Sequence, residues 1–521
     1  MSHYLKGKDI NDQISERREL LSKLRNKRRL ENLQMHRETT ETNIPDVPLQ
    51  QSLPLLRSED PNQLCRALDM INQRLIKTNE RETYLCFNVL SYFFNMLQSD
   101  NFQIIHKTLC VLNNIAVCEE SFEHLVKYDH TQIVQCFFIH QFDDIRVMAA
   151  RYLSCVMGCN KLFYDHLKTL GLLKAIEMAL NQYHQDIRYL SILCYFIGNI
   201  IYMTDEKNDD VDFQSDKENV EMIQKGDVIS VSFTQQNQQN VITPFQEMLP
   251  YFNFLYKYID QIPSVYQMIA TISLVQKNMK IIIKQIPTLY QKIVNGLESS
   301  NRLIRSWCLK TLQNISAMKL KYVTKLFVQT DFYHKLSLAI GACEKYDFAD
   351  ICTLCFNLIA CNNSITSELL RVNAIQRLFD KLKLFEFTGN LDDYTYDVKW
   401  EFINVFLQIL ATIKPSEFSY VVFSSYAFKA FSLIADSIPH QDDEYIKMFL
   451  KTLTNVYKHL STIDEECVFR FMDLLEESKI HDALKCIDFV NDKFSAELKQ
   501  FYDMENSFHF IEQNDEEIPF L

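Results

Sequence analysis

Glycine is almost missing. The chain has 8 glycines in 521 residues, where ordinary usage of about 7% would give roughly 36. No two of them lie within six residues of each other. A Walker loop or a G-x-G-x-x-G turn needs closely spaced glycines so that backbone N–H groups can approach phosphate, so both are excluded. The G-x-S-x-G nucleophile elbow is excluded on the same ground. Proline is also scarce, at 11. Strand-rich folds place Gly and Pro in their turns, so the double scarcity predicts helices joined by short loops. Tryptophan is reduced to Trp307 and Trp400.

Chemistry-bearing patterns are equally thin. There is no HExxH and no Cys/His run, and the 13 histidines are scattered without an evident nucleophile. A lone CxxC, Cys352 to Cys355, lies in an apolar helical stretch and reads as core packing rather than metal ligation. No enzyme activity and no cofactor are expected. The N-terminus is charged and has no apolar leader core, so no secretory signal is read there. The 15 cysteines sit in apolar runs and fit free thiols in a reducing compartment. The longest apolar stretch, Leu190 to Met203, falls short of the roughly 20 residues a membrane helix needs. These absences predict a soluble intracellular protein.

What is present is uneven. The hydrophobic fraction, 47%, is ample for a folded core. The net charge is −13, yet residues 1–38 hold 10 Lys and Arg against 6 Asp and Glu. A short arm of +4 thus precedes a body of −17, an asymmetry that marks organisation. The arm is concentrated in "RRELLSKLRNKRRLENLQMHRE", Arg17 to Glu38. Residues 1–45 read as a basic helical arm and 46–62 as a linker, and 63–505 as an array of about ten repeats. Residues 506–521 read as an acidic tail. An acidic, then Gln/Asn-rich insert interrupts the array at 205–240.

The array is read from a recurring ending, in which a mostly apolar helix runs into Asn. Asn114, Asn199, Asn314, Asn357 and Asn455 close such segments, with degenerate copies around Cys155 and Gln408. Spacing of about 40–50 residues, with one larger gap, predicts an α-solenoid of stacked two- or three-helix units, of armadillo or HEAT type. Asn is a poor helix former, so its recurrence suggests a row of amides along one surface. An amide both donates and accepts, and could clamp the backbone of an extended peptide. Helices stacked about 10 Å apart match about three extended residues. Alternatively, such asparagines cap helix ends or satisfy local turns.

These segments resemble the importin-α (karyopherin-α) family. The family's third helices carry W-x-x-x-N, and "CVLNNIAVC" and "YFIGNII" fit that frame with Asn114 and Asn199 in the Asn position. "LGLLKAIEMAL" (170–180) is similar to the family's G-G-A-I-P-A-L-V turn. "LRNKRRLENLQMHR" (24–37) resembles the importin-β-binding helix, with Leu24, Arg25, Arg28, Arg29, Glu31, Leu33 and Arg37 on matching positions. The resemblance implies an all-α armadillo-repeat right-handed superhelical solenoid behind a basic helical arm. It implies importin-β bound through Arg18, Leu24, Arg25, Lys27, Arg28, Arg29 and Arg37. It implies nuclear-localisation-signal cargo held at Asn114, Tyr195, Asn199, Lys310, Asn314 and Asn357, and an export factor at the last repeats. It further implies shuttling between cytoplasm and nucleus, with no direct nucleic-acid or membrane partner.

The chain departs from the family at the tryptophan positions, which stand four residues before each Asn and would sandwich lysine stems. Here they read Cys110, Arg151, Tyr195, Thr353 and Asn404. Only Tyr195 is aromatic. Lys310 keeps a cation where the family often has Arg. Cys159 stands at the acidic position that grips the key lysine. Trp307 lies one turn off its frame, and the Trp400/Asn404 pair is out of register. Weak binding of simple lysine-rich signals is therefore expected. A divergent scaffold holding one dedicated partner is the competing expectation. The family's self-inhibiting basic cluster falls on Met35-His36-Arg37, which has one firm cation.

Overall fold

The computed structural model describes residues 47–77, 86–117, 121–131, 133–134, 140–157, 161–205, 243–317, 327, 331–362, 364–384, 393–422, 424–438, 443–462, 465–488 and 498–503. All regular structure among them is helical. The chain divides between Asn278 and Met279 into two compact units. The first contains α1 (Pro61–Lys77), α2 (Phe102–Ala116), α3 (Asp143–Met157), α4 (Lys161–Thr169), α5 (Ile187–Asp205), α6 (Pro244–Tyr256) and α7 (Pro263–Ile272). The second contains α8 (Arg302–Ala317), α9 (Lys345–Cys361), α10 (Asp393–Thr412) and α11 (Asp443–Leu460). Shorter helices link these long ones.

Two of the long helices, α2 and α8, start in the same way. Before α2, Ser99 Oγ accepts from Asn101 N (3.1 Å) and Asn101 Oδ1 accepts from Gln103 N (3.0 Å). Before α8, Ser299 Oγ accepts from Asn301 N (3.2 Å) and Asn301 Oδ1 accepts from Leu303 N (2.9 Å). An Asn at this place satisfies one of the first-turn N–H groups that have no helical partner. The long helices then carry apolar residues on nearly every side. In α3, Ile145 to Ala150 and Tyr152 to Met157 are all buried. A helix buried all round must have neighbours on both flanks. That is what is seen: α2 packs between α1 and α3, and α3 between α2 and α5. In the second unit α9 packs between α8 and α10. Each fully buried Leu, Ile or Phe contributes about 1.5–3 kcal/mol, so the stacking of long helix on long helix is the main cohesive term.

A second signature marks the turn into the shorter helices. Gly171 has φ +87°, immediately before the helix Leu172–Gln182. Asp331, Asn373 and Lys479 also have positive φ, at 53°, 58° and 63°. They directly precede Phe332–Ala342, Ala374–Leu384 and Ile480–Asp488. One left-handed residue reverses the chain between a first and a second helix, and only at Gly171 is it free of the Cβ penalty. Short helix, left-handed turn, second helix, long third helix is the armadillo plan. The all-α repeat class expected from the sequence is thus the class the described residues form.

Two sequence readings are refined here. Residues 46–62 read as an unstructured linker, but Leu49–Ser52 is a helical turn and Leu53–Arg57 a 3-10 turn, and α1 already begins at Pro61. Pro48 immediately precedes the first turn and Pro54 lies at the start of the second, where proline is well tolerated. Leu49 and Leu56 are buried against α1. The large gap between Asn199 and Asn314 holds a further repeat, since α6 and α7 both pack on α5. Helix α7 contains no Asn, so the motif passed over it. Helix α6 starts on a capping box: Thr243 Oγ1 accepts from Gln246 N (3.3 Å), and Gln246 Oε1 accepts from Thr243 N (2.9 Å).

Candidate peptide-binding ladder

The asparagines found by spacing stand at equivalent places near the C-terminal ends of the long helices. Asn114 lies on α2, Asn199 on α5, Asn314 on α8 and Asn357 on α9. Asn114, Asn199 and Asn314 are buried, and Asn357 is half-buried. The amides of Asn114, Asn199 and Asn357 reach backward to the preceding long helix. Asn114 Nδ2 donates to Asn72 Oδ1 on α1 at 2.5 Å. Asn199 Nδ2 donates to Ser154 O at 3.1 Å and Ser154 Oγ at 3.3 Å on α3. Asn357 Nδ2 donates to Gln313 O on α8 at 3.4 Å. The degenerate copy follows suit, Cys155 Sγ donating to Asn113 Oδ1 at 3.4 Å. Such bonds span 42 to 45 residues, one repeat. The amides are therefore rungs between successive long helices, an arrangement that spacing alone does not reveal.

One rung is incomplete. Asn114 Oδ1 and Asn72 Nδ2 are buried with no hydrogen-bond partner. A buried unsatisfied polar group costs about 1–3 kcal/mol.

The positions one turn earlier on these helices are mostly closed. Cys110, Thr353 and Asn404 are buried. Thr353 Oγ1 donates to Ala349 O at 3.0 Å and to Glu401 Oε2 at 2.7 Å. Tyr195 is half-buried on α5, one turn before Asn199. Arg151 is half-buried, with Nη1 3.9 Å from Met148 Sδ. None of the buried trio offers an aromatic wall, so a lysine stem has no sandwich there. Lys310 is half-buried, with Nζ 4.5 Å from the centre of the Trp307 ring. Trp307, out of frame as a slot, thus holds the cation itself.

Cys352 and Cys355 are both fully buried on α9. Burial pushes the Cys355 thiol up to about 12, far from the thiolate a metal or a nucleophilic step needs. All described cysteines are free. Among the described residues no group of three or more His, Cys, Asp or Glu side chains could hold a metal ion. No single described helix is long and apolar enough to cross a membrane. Arg18, Leu24, Arg25, Lys27, Arg28, Arg29, Arg37 and Cys159 lie outside the described residues, as does the insert from residue 206 onward.

No protein-family model matches the chain, and no curated protein matches its sequence. Among solved structures the chain is similar to a designed armadillo repeat protein, at 14% identity over 51% of this chain and 99% of that one, with a TM-score of 0.39. It is also similar to a structure described as a conserved phosphorylation switch controlling the interaction between cadherin and β-catenin. That match has 13% identity over 80% of this chain and 70% of the other, with a TM-score of 0.40. An engineered protein matches at 11% identity over 60% and 97%, with a TM-score of 0.32. The repeat plan rests on the chain's own turns and rungs rather than on these likenesses.

Proposed function

We propose that the chain is a nuclear import adaptor resembling importin-α. In this reading the arm joins it to importin-β, and cargo lies along the long helices near Asn114, Tyr195, Asn199, Lys310, Asn314 and Asn357. The observation that carries the reading is the order of parts: an arm of +4, then long helices among which Asn114, Asn199, Asn314 and Asn357 recur near the helix ends. A scaffold with no carrier has no need of such an arm. Arginine dominates the arm's basic cluster and suits bidentate pairing with carboxylates, so Arg18, Arg25, Arg28 and Arg29 would meet an acidic carrier surface. The adaptor would shuttle between cytoplasm and nucleus.

The test is a pull-down of importin-β with the full chain and with residues 1–45 removed. The full chain is expected to retain importin-β and the truncated chain to lose it. Equal retention by both, or by neither, refutes the adaptor reading. A second reading, an armadillo scaffold with one dedicated protein partner, is favoured by a specific observation. The Nδ2 atoms of Asn114, Asn199 and Asn357 are engaged with the preceding helix, and three tryptophan positions are closed by small buried residues. That reading expects no importin-β in either lane.

A further inference from the structure

The long helices of the first unit carry a second feature at their other ends. A cavity of about 660 Å³ opens across the N-terminal parts of α1, α2 and α3. Its apolar wall is an aromatic pair, Phe102 and Phe142, stacked with ring centres 4.5 Å apart and planes at 29°. Both rings are exposed, at 46% and 39%. A stacked pair of phenylalanines left in water at a concave site is unlike a core contact and unlike scattered surface apolar residues. Ile187 continues the row on the next repeat: it is the first residue of α5, as Phe102 is of α2, and it too is exposed.

The charges around the cavity are not balanced. Lys107 pairs with Asp69 across α2 and α1. Asp144 pairs with Arg188 at 3.1 Å. Arg66 is exposed on α1 and lines the same cavity, and among the described residues no ion pair engages it. The two carboxylates of the lining are thus matched among the described residues, and the guanidinium of Arg66 is not. Asn62 and Gln103 also line it, and their side-chain amides can donate to and accept from a peptide backbone. The volume lies within the range of ligand pockets, about 300–1,000 Å³, and suits one or two large side chains of a longer ligand.

We propose that this cavity is a docking site for an acidic peptide segment of a partner protein, anchored by an aromatic or large aliphatic side chain. The anchor would stack on Phe102 and Phe142, and a neighbouring carboxylate would pair with Arg66. The site is separate from the asparagine ladder, because Phe102 and Asn114 lie twelve residues apart on one helix, about 18 Å along its axis. Its charge preference is opposite to that of a basic cargo signal. The proposal therefore goes beyond the adaptor reading and stands or falls independently of it.

The test is fluorescence anisotropy on the full chain with two labelled peptides. One alternates glutamates with phenylalanines; the other has lysine for every glutamate. The acidic peptide is expected to bind more tightly, and Phe102→Ala, Phe142→Ala and Arg66→Glu should each weaken it by about ten-fold or more. Arg66→Glu should in addition raise affinity for the lysine peptide, a gain that a misfolded variant cannot produce. The proposal is overturned if the lysine peptide binds native chain as well as the acidic one. It is overturned equally if Arg66→Glu leaves the preference unchanged, or if neither peptide binds at millimolar concentration.

Discussion

Asn114 offers a direct way to ask whether the ladder is there for stability. In Asn114→Ala the bond to Asn72 is lost, at about 1 kcal/mol net, and the Asn72 side chain is left buried without a partner, at about 1–3 kcal/mol more. Asn72 and Asn114 are only 2% and 3% exposed, so water cannot replace the bond cheaply. The single substitution should cost about 2–4 kcal/mol. Asn72→Leu combined with Asn114→Leu removes both partners and also the two atoms already unsatisfied. The double variant should lie within about 1 kcal/mol of the native chain, or above it. Hydrogen exchange of the amides in α1 and α2 reports this locally. At about 1.4 kcal/mol per factor of ten, Asn114→Ala should exchange roughly 30- to 1,000-fold faster. The double-leucine variant should exchange at the native rate or more slowly. If the two single substitutions instead add in the double, the pair is not a coupled rung and the reasoning fails. If the double variant is stable but loses a peptide that the native chain binds, the amides are retained for recognition rather than for folding.

The left-handed turns give a sharper test of the repeat plan. Lys479 is exposed and has φ 63°, so Lys479→Gly should relieve backbone strain of about 1–2 kcal/mol against a smaller entropic cost, a net gain of roughly 0.5–1 kcal/mol. A drop in urea midpoint would contradict this. Gly171→Ala should lose about 1 kcal/mol, because its φ of 87° admits no Cβ without strain. His130 should make the first unit acid-sensitive. It is fully buried; Nδ1 donates to Tyr128 O and Nε2 accepts from Tyr152 Oη, both at 2.8 Å. Burial holds its pKa down at about 4, so the unfolded chain takes up the proton first as pH falls. The stability tied to neutral His130 is complete above about pH 6.5 and declines toward pH 4, by about 3 kcal/mol at the limit. His130→Gln should flatten the urea midpoint between pH 7 and 4.5; an unchanged slope would place the acid sensitivity elsewhere.

Much of the fold was legible because it follows from short-range rules. Scarce glycine and proline, apolar helical runs and an Asn recurring about every 40–50 residues were enough to predict stacked helices. The repeat at α6 and α7 was not legible, since α7 has no Asn and the repeat follows a polar insert. Nor were the turns at Leu49–Ser52 and Leu53–Arg57, where two prolines open helical turns instead of breaking them. That Asn114, Asn199, Asn314 and Asn357 recur as a series was legible from their spacing. What those amides touch was not, because each partner lies one repeat away in the chain.

The sequence by itself determined the helical class, the repeat period, the charge split between arm and body and the absence of phosphate-binding loops. These depend on residue type and local spacing. Only the tertiary structure decided that the asparagines face the preceding helix, and that Thr353 is closed off by Glu401. It also decided that Phe102 and Phe142 meet at the surface in one cavity with Arg66. Phe102 and Phe142 are forty residues apart, and each is ordinary alone. Stacking one repeat on the next places their side chains in contact, and that contact is a property of helix packing rather than of any local segment.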